Sequence, residues 1–233
     1  MSSNAPAPAH AHRNAILLMI LVTFLWSTAG VFTRHLDSAR SFEVTFWRSF
    51  FAALFALGVL LFSHGRGAIA QVRAMGGAGL ISGCMWAAMF TFFMLALTKT
   101  STANTLVVLS LYPLLASLLA WFVLRERILL RTWCAIAAAF TGIAWMFASG
   151  LSAGSAADAA GMLIAFGVPI AASINAVTLR KMGRSVDLIP AVLLGGVISV
   201  VLTLPFAVPF AASGKDLLIL AVLGIFQLGL PCT

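Results

Sequence analysis

Charge is scarce in this sequence. Asp, Glu, Lys and Arg make up 9% of its 233 residues, against about 25% in a soluble domain. With 62% hydrophobic residues and a mean hydropathy of +1.08, there is too little polar surface to cover a water-facing globule. A large soluble domain is excluded, and the solvent is lipid. Cysteine is nearly absent too. Cys84, Cys134 and Cys232 form no CxxC and no even-numbered framework, so a disulfide scaffold is excluded and the three read as buried free thiols. No GxxxxGK[ST] occurs, since Gly214-Lys215 lacks the upstream glycine, which excludes ATP as the direct energy source. His10 and His12 do not complete a zinc site, so neither metal nor cofactor is expected. Gly150-Leu151-Ser152-Ala153-Gly154 has the spacing of a hydrolase elbow, but it lacks the strand before it and reads as a small-residue loop.

What is present is a succession of long apolar runs divided by the few charges. Eight can be delimited: 15–33, 44–63, 74–98, 100–124, 132–150, 159–179, 188–210 and 217–233. Each run is about as long as the roughly 20 residues of a membrane crossing. None alternates as a barrel strand does, so the fold class is all-α, a polytopic membrane helix bundle. No Asp, Glu or His falls inside these runs, so no intramembrane proton relay is indicated.

The basic balance, +8 overall, is scattered between apolar runs rather than gathered into a nucleic-acid footprint. Counted by loop it fixes an orientation. Arg13, Arg66, Arg73, Arg125, Arg127, Arg131, Arg180, Lys181 and Arg184 share one face, and Arg34, Arg40, Lys99 and Lys215 share the other, matched by Asp37, Glu43, Asp158 and Asp216. The positive-inside rule puts the amino terminus in the cytoplasm. The competing reading, a signal peptide cleaved after Ser27-Thr28-Ala29, leaves the later runs oriented as before.

The two halves match weakly. Phe32-Thr33-Arg34-His35 and Thr178-Leu179-Arg180-Lys181 each close one apolar run shortly before another. An odd number of crossings separates them, which makes an inverted repeat with a site near the membrane midplane. The run Leu25-Trp26-Ser27-Thr28-Ala29-Gly30, the Phe46-Trp47-Arg48 triplet, Ser110-Leu111-Tyr112-Pro113-Leu114-Leu115 and Leu124-Arg125-Glu126-Arg127 resemble the drug/metabolite transporter superfamily, EamA type. Leu223 to Pro231 is similar to the start of that family's third helix in the second repeat. The resemblance implies ten helices in two inverted repeats of five, the second incomplete here, and carriage of small metabolites across the cytoplasmic membrane. On this reading 1–14 is a cytoplasmic tail, 15–150 the first repeat, 151–160 an outer loop, and 161–233 a partial second repeat.

Candidate site residues follow from what a bilayer tolerates. Arg48 lies inside a run, where a charge at the centre costs about 2.5–3.5 kcal/mol on insertion scales. It either snorkels to the headgroups or faces a cavity and orients a polar group. Trp26 and Trp86 fall near midspan, where an indole N–H needs a partner or a cavity. Trp47, Trp121, Trp133 and Trp145 read as interfacial belts. Pro113, Pro169 and Pro231 predict kinks that free carbonyls, with Ser110, Tyr112, Asn175 and Gln227 nearby as neutral hydrogen-bonding groups. Gly79 and Gly83 form a GxxxG suited to close helix packing.

The substrate-binding set is therefore Trp26, Thr28, Arg48, Trp86, Tyr112, Asn175 and Gln227, in a secondary transporter that is not an enzyme. The expectation is export of an amino-acid derivative or similar metabolite by alternating access. The rival is a truncated, non-transporting membrane protein or helical partner subunit. Expected partners are a small-molecule substrate and the lipid bilayer, with a homodimer left open and nucleic acid excluded. The expected location is the cell (inner) membrane.

Overall fold

A peptide group in hydrocarbon has no water to bond, so each apolar run satisfies its own backbone as a helix. The computed structural model describes residues 9–27, 31–32, 35–36, 41–126, 128–152, 156–182 and 188–230, and no strand occurs among them. In chain order the helices are α1 (Ala9–Ser27), α2 (Ser41–His64), α3 (Ala68–Ala74), α4 (Gly76–Lys99), α5 (Thr102–Leu109), α6 (Tyr112–Leu124), α7 (Leu130–Ser152), α8 (Ala156–Met182), α9 (Ile189–Ala207) and α10 (Gly214–Val222). A π-helical turn, Leu223–Gly229, continues α10. The protein is a multi-pass membrane protein. Among the described residues, six segments are long and apolar enough to cross a bilayer.

The expected first and last runs appear as shorter helical stretches, Ile16–Ser27 and α10 with its π-turn. Thr28 of the expected site lies outside the described residues. So do Arg34, Asp37, Arg40, Arg127, Arg184 and Asp187 of the charge count, Thr28-Ala29 of the cleavage motif, Ala153-Gly154, and Pro231 to Thr233.

Pro113 breaks the fourth run instead of bending it. α5 ends at Leu109, and α6 restarts at Tyr112 with the proline in its first turn, where its missing N–H has no intrahelical acceptor to lose. α6 closes at Arg125 in the left-handed region, φ 56°. α10 opens with a capping box, in which the Ser213 hydroxyl accepts from the Asp216 amide at 3.1 Å and Asp216 Oδ2 accepts from the Ser213 amide at 3.2 Å.

The interior is built around α9, which packs between α2 and α4, while α8 packs on α4, α5 and α6. Small residues permit this approach, because without a hydrophobic drive between helices in lipid, close backbone contact supplies the attraction. A Cβ at Gly196 would stand 2.8 Å from the Ala53 Cβ and 3.1 Å from the Ser49 carbonyl. At Gly195 it would collide with the Trp86 Cβ, and at Gly83 it would come within 2.8 Å of the Leu194 Cβ. Gly83 is thus a packing glycine, as its motif predicts. Hydroxyls reinforce the same seam: Ser49 Oγ and Ser199 Oγ lie 2.9 Å apart, both buried.

Two expectations are corrected. Cys84 and Cys134 are free but exposed. Gly83 takes the side of α4 that meets α9, so its neighbour, turned about 100° at 3.6 residues per turn, faces outward. The spans are also not free of acids. The Phe42–His64 segment includes Glu43, fully buried at 0% exposure. Its carboxylate accepts from the amides of Ala211, at 2.9 and 3.1 Å, and Ala212, at 2.7 Å. The acid thereby ties the start of α2 to the segment between α9 and α10.

Candidate functional site

Helical periodicity on three elements brings their inner faces to one space. On α1, Thr23, Trp26 and Ser27 fall at i, i+3 and i+4. On α4, Trp86, Met89, Phe90 and Phe93 fall at i, i+3, i+4 and i+7. On α5, Thr102, Leu106 and Leu109 follow the same rule. Together with Arg48, Val168, Gln227 and Leu228 they enclose a cavity of about 360 Å3. That is near the lower end of the roughly 300–1,000 Å3 of small-molecule sites.

The wall is mostly apolar, with a few polar groups set in it. Arg48 is 3% exposed, so it is buried in the bundle and does not snorkel. Its guanidinium carbon lies 5.6 Å from the centre of the Phe93 ring, within cation–π range. The π-turn supplies its neighbour. At Gly224 an added Cβ would stand 2.6 Å from the Arg48 carbonyl, so the bare glycine lets the turn lie against α2. One turn on, this places Gln227 in the cavity wall, 3% exposed. Its Nε2 donates to the Trp26 carbonyl at 3.2 Å, bridging the π-turn to α1. The Gln227 Oε1 is buried with no hydrogen-bond partner among the described residues, and so is the Trp86 Nε1.

A buried polar atom without a partner costs roughly 1–3 kcal/mol. The residues of this wall thus include a buried unmet acceptor, a buried unmet donor and a cation. A compact molecule with a polar or anionic head and an apolar body suits such a wall.

Of the residues expected from the sequence, Trp26, Arg48, Trp86 and Gln227 meet here. Tyr112 and Asn175 do not line this cavity. Tyr112 is 40% exposed at the start of α6, and its carbonyl accepts from Ser173 Oγ at 3.4 Å. Asn175 is buried, its Oδ1 accepting from Ser82 Oγ at 2.6 Å, which joins α8 to α4. Ser110 turns its hydroxyl back to the Val107 carbonyl at 2.6 Å. Phe93, Thr23 and Thr102 escaped the sequence reading. The signal for Phe93 was present, because it lies on the same helical stripe as Trp86.

Comparison with known proteins agrees with this architecture. The profile of the EamA-like transporter family matches residues 13–148, more than half of the chain. Solute carrier family 35 member G1 of Homo sapiens is 25% identical over 233 residues, covering 90% of this chain. The chain spans 61% of the length of that curated relative. A solved crystal structure, described only as that of a protein, is similar with a TM-score of 0.64 at 21% identity, over 94% of this chain and 76% of the other. At that identity the likeness is one of fold.

Proposed function

The chain belongs to the EamA-like transporter family, and from that premise we propose that it is a secondary transporter exporting a small, partly apolar metabolite such as an amino-acid derivative. The reading is carried by the unmet Trp86 Nε1 and Gln227 Oε1 beside Arg48 in one cavity. Arg48 takes the anionic head, Trp86 donates to it, and Gln227 accepts from an amino or amide N–H. Trp26, Phe90 and Phe93 hold the apolar body.

Export proceeds by alternating access, with two inverted units rocking about the midplane cavity. The chain sits in the cell (inner) membrane with its amino terminus in the cytoplasm, following the excess of basic residues on one face. Aromatic walls suit this work, because they hold a substrate by area without deep polar traps that would slow release.

The test is efflux of a panel of radiolabelled metabolites from vesicles containing the full-length protein. Replacing Arg48 with Ala in a correctly inserted protein is expected to weaken apparent affinity about tenfold or more. This follows from about 1.5–3 kcal/mol for a charged hydrogen bond at 1.4 kcal/mol per factor of ten. Unchanged efflux by that variant removes Arg48 from the site.

A further inference from the structure

A second cavity, of about 430 Å3, opens between α6 and α8. Its wall includes Leu115, Leu118, Trp121 and Phe122 of α6 with Ser173 and Ile174 of α8. Ser173 is its one hydroxyl residue, and that hydroxyl donates to the Pro169 carbonyl at 2.6 Å. The groove therefore offers a ligand chiefly hydrocarbon contact.

Charge collects at one end of it. Glu126, just past the end of α6, pairs with Arg180 near the end of α8 at 3.3 Å. This puts the two helix ends on one face of the bundle and sets that carboxylate against Arg180. Arg125 and Lys181 adjoin the pair in sequence. Trp121 and Trp133 meet edge to face with centroids 5.7 Å apart, which brings in the start of α7 with Arg131. Arg125, Arg131 and Lys181 are exposed and have no carboxylate partner among the described residues.

We propose that this groove seats an acyl chain of one anionic phospholipid, with the lipid phosphate at Arg125, Arg131 and Lys181. The order of residues along α6 supports it. Leu115 and Leu118 come first, then Trp121, then Arg125, which is the order of hydrocarbon, interface and phosphate through one leaflet. From Leu115 to Phe122 the helix rises roughly 10 Å at 1.5 Å per residue, within the roughly 15 Å that is half of a 30 Å hydrocarbon core. Three unneutralised cations complement a headgroup with net negative charge. A zwitterionic headgroup carries its own ammonium, which they repel.

Native mass spectrometry of the full chain, released from micelles holding equal phosphatidylglycerol and phosphatidylcholine with matched acyl chains, tests the proposal. Phosphatidylglycerol adducts are expected in roughly fivefold excess for each cation engaged. The triple variant Arg125→Gln, Arg131→Gln, Lys181→Gln should lose that preference. Leu118→Trp, which fills the groove and keeps the cations, should lose the adduct itself. Circular dichroism establishes that each variant remains helical. Thermal unfolding of the unmodified protein, raised more by phosphatidylglycerol than by phosphatidylcholine, supplies a readout needing no variant. Equal retention of the two lipids, or a preference that survives the triple variant, overturns the proposal. So does a dimer that Leu118→Trp dissociates with no lipid adduct present, because the groove is then an interface between copies.

Discussion

Half of an 18-residue stretch within the Phe42–His64 segment of α2 is buried, whereas 11% of such a stretch within the Leu130–Ser149 segment of α7 is, although both segments qualify as membrane crossings. Hydropathy cannot separate them, because lipid tails and protein side chains are equally good apolar surroundings. What separates them is small and polar residues placed on one side. The seam of α2, α4 and α9 carries Ser49, Ala53, Gly83, Gly195, Gly196 and Ser199 in mutual contact. α7 turns its hydroxyls back on its own backbone, as Thr141 does to the Ala137 carbonyl at 2.8 Å, and leaves Trp145 79% exposed. The inner seam holds the bundle together and shapes one side of the cavity, while the outer helices present their faces to lipid.

The sharpest way to break this comparison is to enlarge one glycine in each region. Gly196→Leu should cost about 3 kcal/mol or more in unfolding from detergent, at the top of the range for overpacking, because the Ser49 carbonyl cannot move aside as a flexible side chain does. Gly142→Leu on α7, where nothing lies within 4 Å of an added Cβ, should stay within about 0.5 kcal/mol. Equal effects would mean that the seam is not what holds the helices.

Next in size is the buried acid. Glu43→Ala removes the carboxylate that accepts from the amides of Ala211 and Ala212, at about 2 kcal/mol for hydrogen bonds to a charged group. Hydrogen exchange at those two amides should rise while exchange in α7 stays as it was.

A smaller effect is expected at the cavity. Trp86→Phe removes one unmet donor and keeps most of the ring, so apparent substrate affinity should fall roughly fivefold, equivalent to about 1 kcal/mol. Trp145→Phe, on the lipid-facing side, should leave efflux unchanged.

The smallest contrast is between hydroxyls. Ser82→Ala breaks the bond to Asn175 between α4 and α8 and should cost about 0.6 kcal/mol, the average for such bonds in membranes. Ser149→Ala removes only a bond to the Met146 carbonyl of its own helix and should be silent in the same unfolding assay.

Much of the fold was legible because burial in lipid leaves only one backbone solution for a long apolar run. The central crossings fall close to where the charges end, and the restart at Pro113 follows from a missing N–H. The misread features concern direction. Cys84 was expected to be buried because it lies in an apolar run, yet its position one residue from Gly83 turns it outward. Glu43 counted as a loop charge, because nothing in its neighbours announces the distant amides of Ala211 and Ala212.

The cavity was partly legible for a related reason. Trp26, Arg48, Trp86 and Gln227 are costly to leave in hydrocarbon, so each could be named alone. Tyr112 and Asn175 drew the same attention, but they lie away from this cavity, one at an exposed helix start and the other bonded to Ser82. Whether a polar side chain at depth faces a neighbour or a void depends on rotation about its helix axis, to which overall hydropathy is blind.

The sequence by itself determined the solvent, the helical class and the positions of the central crossings, since these depend on transfer energies summed over single runs. Tertiary structure alone decided which faces meet. Close approach at Gly195, Gly196 and Gly224 depends on the shape of partners far away in the chain. The meeting of Arg48, Trp86 and Gln227 in one cavity is a consequence of that packing.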